Sequence, residues 1–191
     1  PSDHQIKNNK EFLETIKKAE QFVSNDKILL FGIKPKSPST SYGYIKANKK
    51  LKIEEFIPNQ IESFIEKPNL SIAKKLFKDE FFTWNSGIFM AKASTIIQEL
   101  EKYSPEIIFH CKESSKKKII DLDFIRIEKK SFEKCPNISL DKAVMEKTDL
   151  GFVFPLNAEW SDIGGWGSLW ENSNKDSDDN LLIGNSLQFS S

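Results

Sequence analysis

Residues 9–34 read NKEFLETIKKAEQFVSNDKILLFGIK, and the fold class turns on the change of period inside that stretch. Phe12, Ile16, Ala19 and Val23 recur at helical spacing with Lys and Glu between them, so 9–24 is expected to form an amphipathic helix. Residues 28–33 are an unbroken apolar run, short enough for a strand buried on both faces.

Outward from there the two element types stay interspersed. Strands are expected at 42–47 and 51–57 around an Asn48-Lys49-Lys50 turn, then at 61–66, stopped by Pro68. Asn69 or Ser71 can cap a helix to Lys78. A strand at 87–91 follows, then a helix capped by Ser94 and another that restarts with Pro105 at its first position. The polar, basic run 112–118 reads as a solvated connection. Ser139 caps a helix through Lys147, 151–156 reads as a strand and 165–171 as a last helix. Interspersion means α/β or α+β around a mixed sheet, which excludes a helical bundle or a β-sandwich.

Composition narrows the class further. Across 191 residues, 28 basic and 28 acidic side chains cancel, so no overall charge selects a nucleic acid or an anionic membrane as partner. No apolar run approaches the roughly 18 residues of a membrane-spanning helix. Cys111 and Cys135 are the only cysteines and read as reduced thiols of a cytosolic protein. With only His4 and His110 besides, a Cys/His zinc site lacks ligands, and no Ser/His/Asp or Cys/His nucleophile set is evident.

Four segments look built for more than packing. In Ser41-Tyr42-Gly43-Tyr44, Gly43 lets the backbone approach a ligand, although a β-bulge needs the same residue. In Phe64-Ile65-Glu66-Lys67-Pro68, adjacent charges at a strand end should diverge, Glu66 toward a sugar hydroxyl and Lys67 toward a phosphate. An ordinary charged strand end reads the same way. In Trp84-Asn85-Ser86-Gly87, Asn85 offers donors and an acceptor to vicinal hydroxyls and Trp84 a wall; a tight turn before a strand is the plain alternative. In Trp160-Ser161-Asp162-Ile163-Gly164-Gly165-Trp166, Asp162 suits Mg²⁺ or a helix cap, and a cap leaves the flanking tryptophans unexplained. Asp3, beside His4, is a second carboxylate candidate.

In this order and spacing, these segments resemble the bacterial mannose-1-phosphate guanylyltransferases, some of which also carry a mannose-6-phosphate isomerase domain. The resemblance begins at PSDHQI (1–6), continues through FGIKP (31–35) and the segments above, and takes in SLDKAVMEK (139–147). It implies an α/β fold with a Rossmann-like mixed sheet of the nucleotide-diphospho-sugar transferase type, its N-terminal part missing. Residues 1–179 would form the sugar-phosphate- and metal-binding part, and 180–191 would start a following segment. Asp3 and Asp162 would hold Mg²⁺, the cofactor. Gly43, Tyr44, Glu66, Lys67 and Asn85 would bind substrate, with Lys67 and Asp162 catalytic. Asp141 lies in a run assigned to packing and is carried as a candidate contact.

The implied reaction joins GTP and mannose 1-phosphate, releasing pyrophosphate. The Gly-rich, Arg-containing loop that grips the triphosphate in the family is not among these residues, and both termini read as cuts in a longer protein. The sheet is accordingly expected to leave an exposed edge. A related transferase acting on glucose 1-phosphate with UTP or dTTP, and a non-catalytic sugar-phosphate sensor, remain the competing readings. Homo-oligomerisation is left open.

Overall fold

The computed structural model describes residues 1–182 and residue 184. Most of 180–191, read above as the start of a following segment, lies outside the described residues. In chain order the elements are β1 (Gln5–Ile6), α1 (Asn9–Val23), β2 (Ile28–Ile33), β3 (Tyr44–Ala47), β4 (Asn59–Ile65), α2 (Leu70–Lys78), β5 (Phe82–Met90), α3 (Ala93–Tyr103) and α4 (Pro105–Lys116). Then come β6 (Ile119–Asp121), β7 (Phe124–Arg126), α5 (Lys129–Phe132), a π-helical turn (Asp141–Met145), β8 (Gly151–Pro155), β9 (Trp160–Ser161) and α6 (Trp166–Asn172).

The central sheet is mixed, in the order β2-β5-β3-β4-β8. Strand β8 runs parallel to β2 and the other pairings are antiparallel. The start of β4 reaches β8 through Asn59↔Val153 and Gln60↔Phe152, so the sheet closes on itself. Each of these five strands has a neighbour on both sides over part of its length, so the exposed edge expected from the sequence is reduced to stretches such as 61–65 of β4, beyond its pairing with β8.

Both faces of β2 are covered, as its apolar run requires. Leu29, Phe31 and Ile33 point to a core shared with Phe12, Ile16 and Ala19 of α1 and Ala73 and Leu76 of α2. Ile28 and Leu30 point the other way, to Ile96 and Leu100 of α3, Ile107 of α4 and Ala143–Met145 of the π-helical turn. Alternation along one strand thus builds two cores and a three-layered α/β domain. Asn69 caps α2 by accepting from the backbone N–H of Ile72 at 3.0 Å, a bond whose removal typically costs about 1 kcal/mol.

Four expectations fail for physical reasons. Residues 51–57 alternate like a strand, but β4 and β5 already occupy both edges of β3, and Phe56 sits at φ 50°, off any strand geometry. The basic run 112–118 continues α4 to Lys116, because its Lys and Glu residues are good helix formers. The helix of 93–103 is preceded by Lys92, with no side-chain cap, and Ser94 lies inside it. The strand expected at 87–91 starts earlier, at Phe82, so the segment for which a tight turn was the plain alternative lies within β5, paired with β2 and β3.

Candidate active site

A cleft of about 1100 Å³ lies between the loop 36–42, Lys67 just past β4, and the segment from Glu159 to Asn172. Tyr42 stands in it, its ring 4.8 Å from that of Trp84 and 5.5 Å from that of Trp160. The Tyr42 hydroxyl donates to Asp162 Oδ1 at 2.9 Å. Burial, then that carboxylate, pushes the phenol above its ordinary range, so it remains a protonated donor. One oxygen of Asp162 is therefore held, and Gly164 leaves room beside the other: a Cβ there would stand 2.8 Å from Oδ2.

Three residues at or beside this cleft hold left-handed backbone: Lys67 (φ 43°), Glu159 (φ 47°) and Ile163 (φ 47°). The conformation is costly for a β-branched residue such as Ile163 and persists only where surrounding contacts impose it. Here the Ser161 hydroxyl accepts from the Ile163 N–H at 3.3 Å and from Asn172 of α6 at 3.1 Å, fixing the loop that carries Asp162.

The chain start joins the site through a two-stranded pairing. Antiparallel β1 and β9 match Gln5 with Ser161 and Ile6 with Trp160. Continued by one and two residues, that register sets His4 opposite Asp162 and Asp3 opposite Ile163. His4 Nδ1 accepts from the Trp160 indole N–H at 3.0 Å, with the rings edge to face. Burial and the positive N-terminus lower the His4 pKa, while Asp3 and Asp162 both oppose that shift.

Asp162 suits a hard divalent cation by its chemistry, and Asp3 is the other carboxylate the sequence offers for one. Both supply oxygen, one Asp162 oxygen is oriented by Tyr42, and a glycine leaves space at the other. Among the described residues no group of three or more Cys, His, Asp and Glu forms a metal cage. Two carboxylates would leave most coordination positions of such an ion to water.

The sugar-side candidates form a second cluster, joined to the first by Lys67. A Cβ on Gly43 would lie 2.7 Å from Glu66 Oε2 and 2.9 Å from the Phe64 ring, so a larger residue there would push the Glu66 carboxylate and the Phe64 ring aside. The Gly43 carbonyl accepts from the Asn85 N–H at 2.8 Å. Asn85 is held at both ends of its amide: Oδ1 accepts from the Gly87 N–H at 3.1 Å, and Nδ2 donates to Asp141 Oδ1 at 3.2 Å. Glu66 and Lys67 do not diverge as expected. The left-handed turn at Lys67 ends the strand alternation, and its Nζ lies 4.0 Å from Glu66 Oε1.

Two other expectations change. Tyr44 is fully buried, and its hydroxyl donates to the Ser39 carbonyl at 2.9 Å, so its side chain anchors the cleft loop from inside rather than touching substrate. Trp84 lines the cleft but is only 7% exposed, which leaves Tyr42 as the nearer wall. Tyr42 and Asp141 are the residues that sequence reading undervalued. An aromatic beside Gly43 was the one available signal for Tyr42, and nothing local tied it to Asp162, 120 residues away.

Burial raises the carboxyl pKa of both Glu66 and Asp141, and each also feels a neighbouring carboxylate. A raised folded-state pKa stabilises the fold while the group is protonated. That contribution is fully present below the ordinary values of 4.5 and 3.8 and is lost as pH rises through the raised ones. Asp141→Asn, which keeps an acceptor for Asn85, is therefore expected to raise the thermal midpoint at pH 7 and reduce its decline above pH 4. Melting at several pH values checks this; an unchanged midpoint would contradict the raised pKa.

The family assignment follows from comparison with known proteins. The Nucleotidyl transferase family model matches residues 1–179, and the chain belongs to that family. It is 40% identical over 185 residues to an Escherichia coli mannose-1-phosphate guanylyltransferase, covering 96% of this chain and 40% of that protein. It is 42% identical over 186 residues to a putative mannose-1-phosphate guanylyltransferase of Vibrio cholerae, covering 97% and 39%. The chain thus spans about 40% of the length of the curated relatives it matches. The crystal structure of a mannose-6-phosphate isomerase from Helicobacter pylori superposes with a TM-score of 0.74 at 31% identity, covering 84% of this chain and 62% of that one. A Thermus thermophilus structure, described as a mannose-1-phosphate geranyltransferase, shares the fold with a TM-score of 0.79 at 23% identity, covering 97% and 51%.

Proposed function

We propose that this chain forms the sugar-phosphate- and metal-binding part of a mannose-1-phosphate guanylyltransferase, which makes GDP-mannose and pyrophosphate from mannose 1-phosphate and GTP. The observation that carries the reading is the position of Lys67. It lines the same cleft as Asp162, and its ammonium lies 4.0 Å from Glu66, the carboxylate beside Gly43. A sugar held by its hydroxyls at Glu66, Asn85 and Asp141 would extend its 1-phosphate past Lys67 toward Asp162.

The chemistry needs little more from these residues. A phosphate monoester has a second pKa near 6 and is mostly a dianion at neutral pH. A non-bridging oxygen attacks the α-phosphorus of GTP, the bond to the β-phosphate oxygen breaks and pyrophosphate leaves. No proton is removed from the nucleophile, so no general base is required. The demands are positioning and charge neutralisation. Lys67 supplies a compact positive charge at the acceptor phosphate, and Tyr42 keeps Asp162 in one orientation. Mg²⁺ bound by Asp3 and Asp162 would neutralise the charge that two phosphates bring together.

The relatives' names support mannose 1-phosphate and GTP over glucose 1-phosphate with UTP or dTTP. A matrix of sugar 1-phosphates and nucleoside triphosphates in a pyrophosphate-release assay tests this directly; equal turnover of glucose 1-phosphate with UTP would remove the assignment. Likeness to a protein named mannose-6-phosphate isomerase favours a longer protein that also isomerises mannose 6-phosphate. We place the enzyme in the cytoplasm, where GTP is available; no described helix is long and apolar enough to cross a membrane.

A further inference from the structure

Helix α4 acts as a spine for the segment that follows it. At its start the Ser104 hydroxyl donates to the Ala143 carbonyl of the π-helical turn at 3.1 Å. Near its end the fully buried Ser114 hydroxyl donates to the Glu128 carbonyl at 2.9 Å. The Glu128 N–H donates back to the Ser114 carbonyl at 3.1 Å. Residues 128–143 are thus pinned to α4 at both ends. Cys111 lies three residues before Ser114, one turn along the same face of α4. Cys135 lies inside the pinned segment, just past α5, in a turn closed by its own N–H donating to the Phe132 carbonyl at 2.9 Å. Across the packed pair α4 and α5 the two thiols hydrogen-bond to one another. Both are free and partly exposed.

Two further features separate this pair from thiols that only fill space. Cys111 lines an open apolar slot of about 400 Å³ with Ile97, Ile108 and Ser115, so a small reagent can reach its sulfur. The thiols are also unequal. Burial, then the charge and hydrogen bond of Cys111, hold the Cys135 thiol above its ordinary range. Cys135 therefore keeps its proton and donates it, and Cys111 is the sulfur placed to attack first.

We propose that Cys111 and Cys135 form a reversible thiol–disulfide site, oxidised by a small-molecule disulfide that enters at the slot beside Cys111. Cys111, as thiolate, attacks one sulfur of the reagent. The reagent's S–S bond breaks, and one small thiol leaves with a proton from solvent. Cys135 then gives its proton to solvent and attacks Cys111 Sγ, and the second small thiol leaves in the same way. Two protein thiols become one disulfide while one small disulfide becomes two thiols, so atoms and electrons balance. In a reducing cytoplasm the pair rests as thiols and closes only under oxidative load, the usual behaviour of a disulfide in that compartment.

Closure bears on the cleft through the chain. Cys135 stands six residues before Asp141, whose carboxylate holds Asn85 at 3.2 Å. The backbone bonds donated by Lys134, Cys135 and Ile138 all run to residues two or three positions back. A disulfide adds a fixed point between Glu128 and Ala143 and restricts the segment that presents Asp141. The importance of Asp141 rests on the site reading above; the thiol chemistry does not.

Equilibration of this chain with glutathione disulfide, followed by alkylation and peptide mass mapping, is expected to show both thiols lost. The map should contain a peptide pair joined through Cys111 and Cys135, with no glutathione retained, and dithiothreitol should restore both thiols. Cys135→Ser should stop the reaction at a glutathione mixed disulfide on Cys111. Cys111→Ser should react at Cys135 about tenfold more slowly than the parent reacts. Amide hydrogen exchange across 134–145 should be slower in the oxidised chain than in the reduced one. A parent that keeps both thiols in excess glutathione disulfide, or that ends with glutathione on each cysteine, overturns the proposal. So does Cys111→Ser reacting as fast as the parent, or exchange across 134–145 that is indifferent to oxidation. None of these readouts needs turnover, so the proposed catalytic activity stands or falls separately.

Discussion

Asp162→Asn is expected to lower Mg²⁺-dependent pyrophosphate release by about 100-fold or more, the scale on which removing a preorganised charge-stabilising group acts. The substitution is nearly isosteric. The carboxamide oxygen can still accept from the Tyr42 hydroxyl, 2.9 Å away in the native arrangement, so the loop and its left-handed Ile163 should persist. What disappears is the negative charge a hard cation requires. Mn²⁺ binding followed by electron paramagnetic resonance should fall in parallel, and that readout does not require turnover. Tyr42→Phe separates charge from orientation: it keeps the carboxylate, releases Oδ1, and should weaken metal binding by about 10-fold, as lost supporting hydrogen bonds do elsewhere. Full Mn²⁺ affinity in Asp162→Asn would remove Asp162 from the metal site whatever the activity.

Lys67→Ala is expected to weaken mannose 1-phosphate binding by about 10- to 100-fold, from the loss of a charge-assisted contact to phosphate, while GTP affinity changes little. Left-handed backbone at residue 67 is comparably costly for Ala and Lys, so the substitution tests the ammonium and not the turn. Lys67→Met keeps most of the aliphatic stem and should behave the same way, which separates charge from packing. The contact lies in a cleft shared with Asp162, so the loss should be smaller for free mannose than for its phosphate. A larger loss for GTP than for mannose 1-phosphate would move Lys67 to the nucleotide side and sink its assigned role.

How much of this was legible beforehand depended on whether the signal was local. The helix at 9–23 and the strand at 28–33 follow from apolar spacing that repeats within a few residues, and both are found there. The run Leu51–Ile57 carried a strand-like period and forms no strand, because pairing needs a free edge and β3 had none. The ribbon 119–126 escaped notice because its apolar residues sit on both faces, so no single period marks a buried side. Tyr44 was a ligand contact by resemblance alone, yet its side chain is buried inward.

The residue types of the site were evident one by one: a glycine needing close approach, adjacent Glu66 and Lys67, Asn85, Asp162. The amino-acid sequence alone determined the layered α/β class and these chemistries, because propensity, period and functional groups are properties of short segments. Only the tertiary structure decided which of them meet. Tyr42 reaches Asp162 across 120 residues, Asn85 reaches Asp141 across 56, and the start of the chain reaches Trp160 through His4 and the pairing of β1 with β9. Those contacts arise from closure of the sheet and the register of its strands, which balance burial over the whole chain and leave no mark in any one segment.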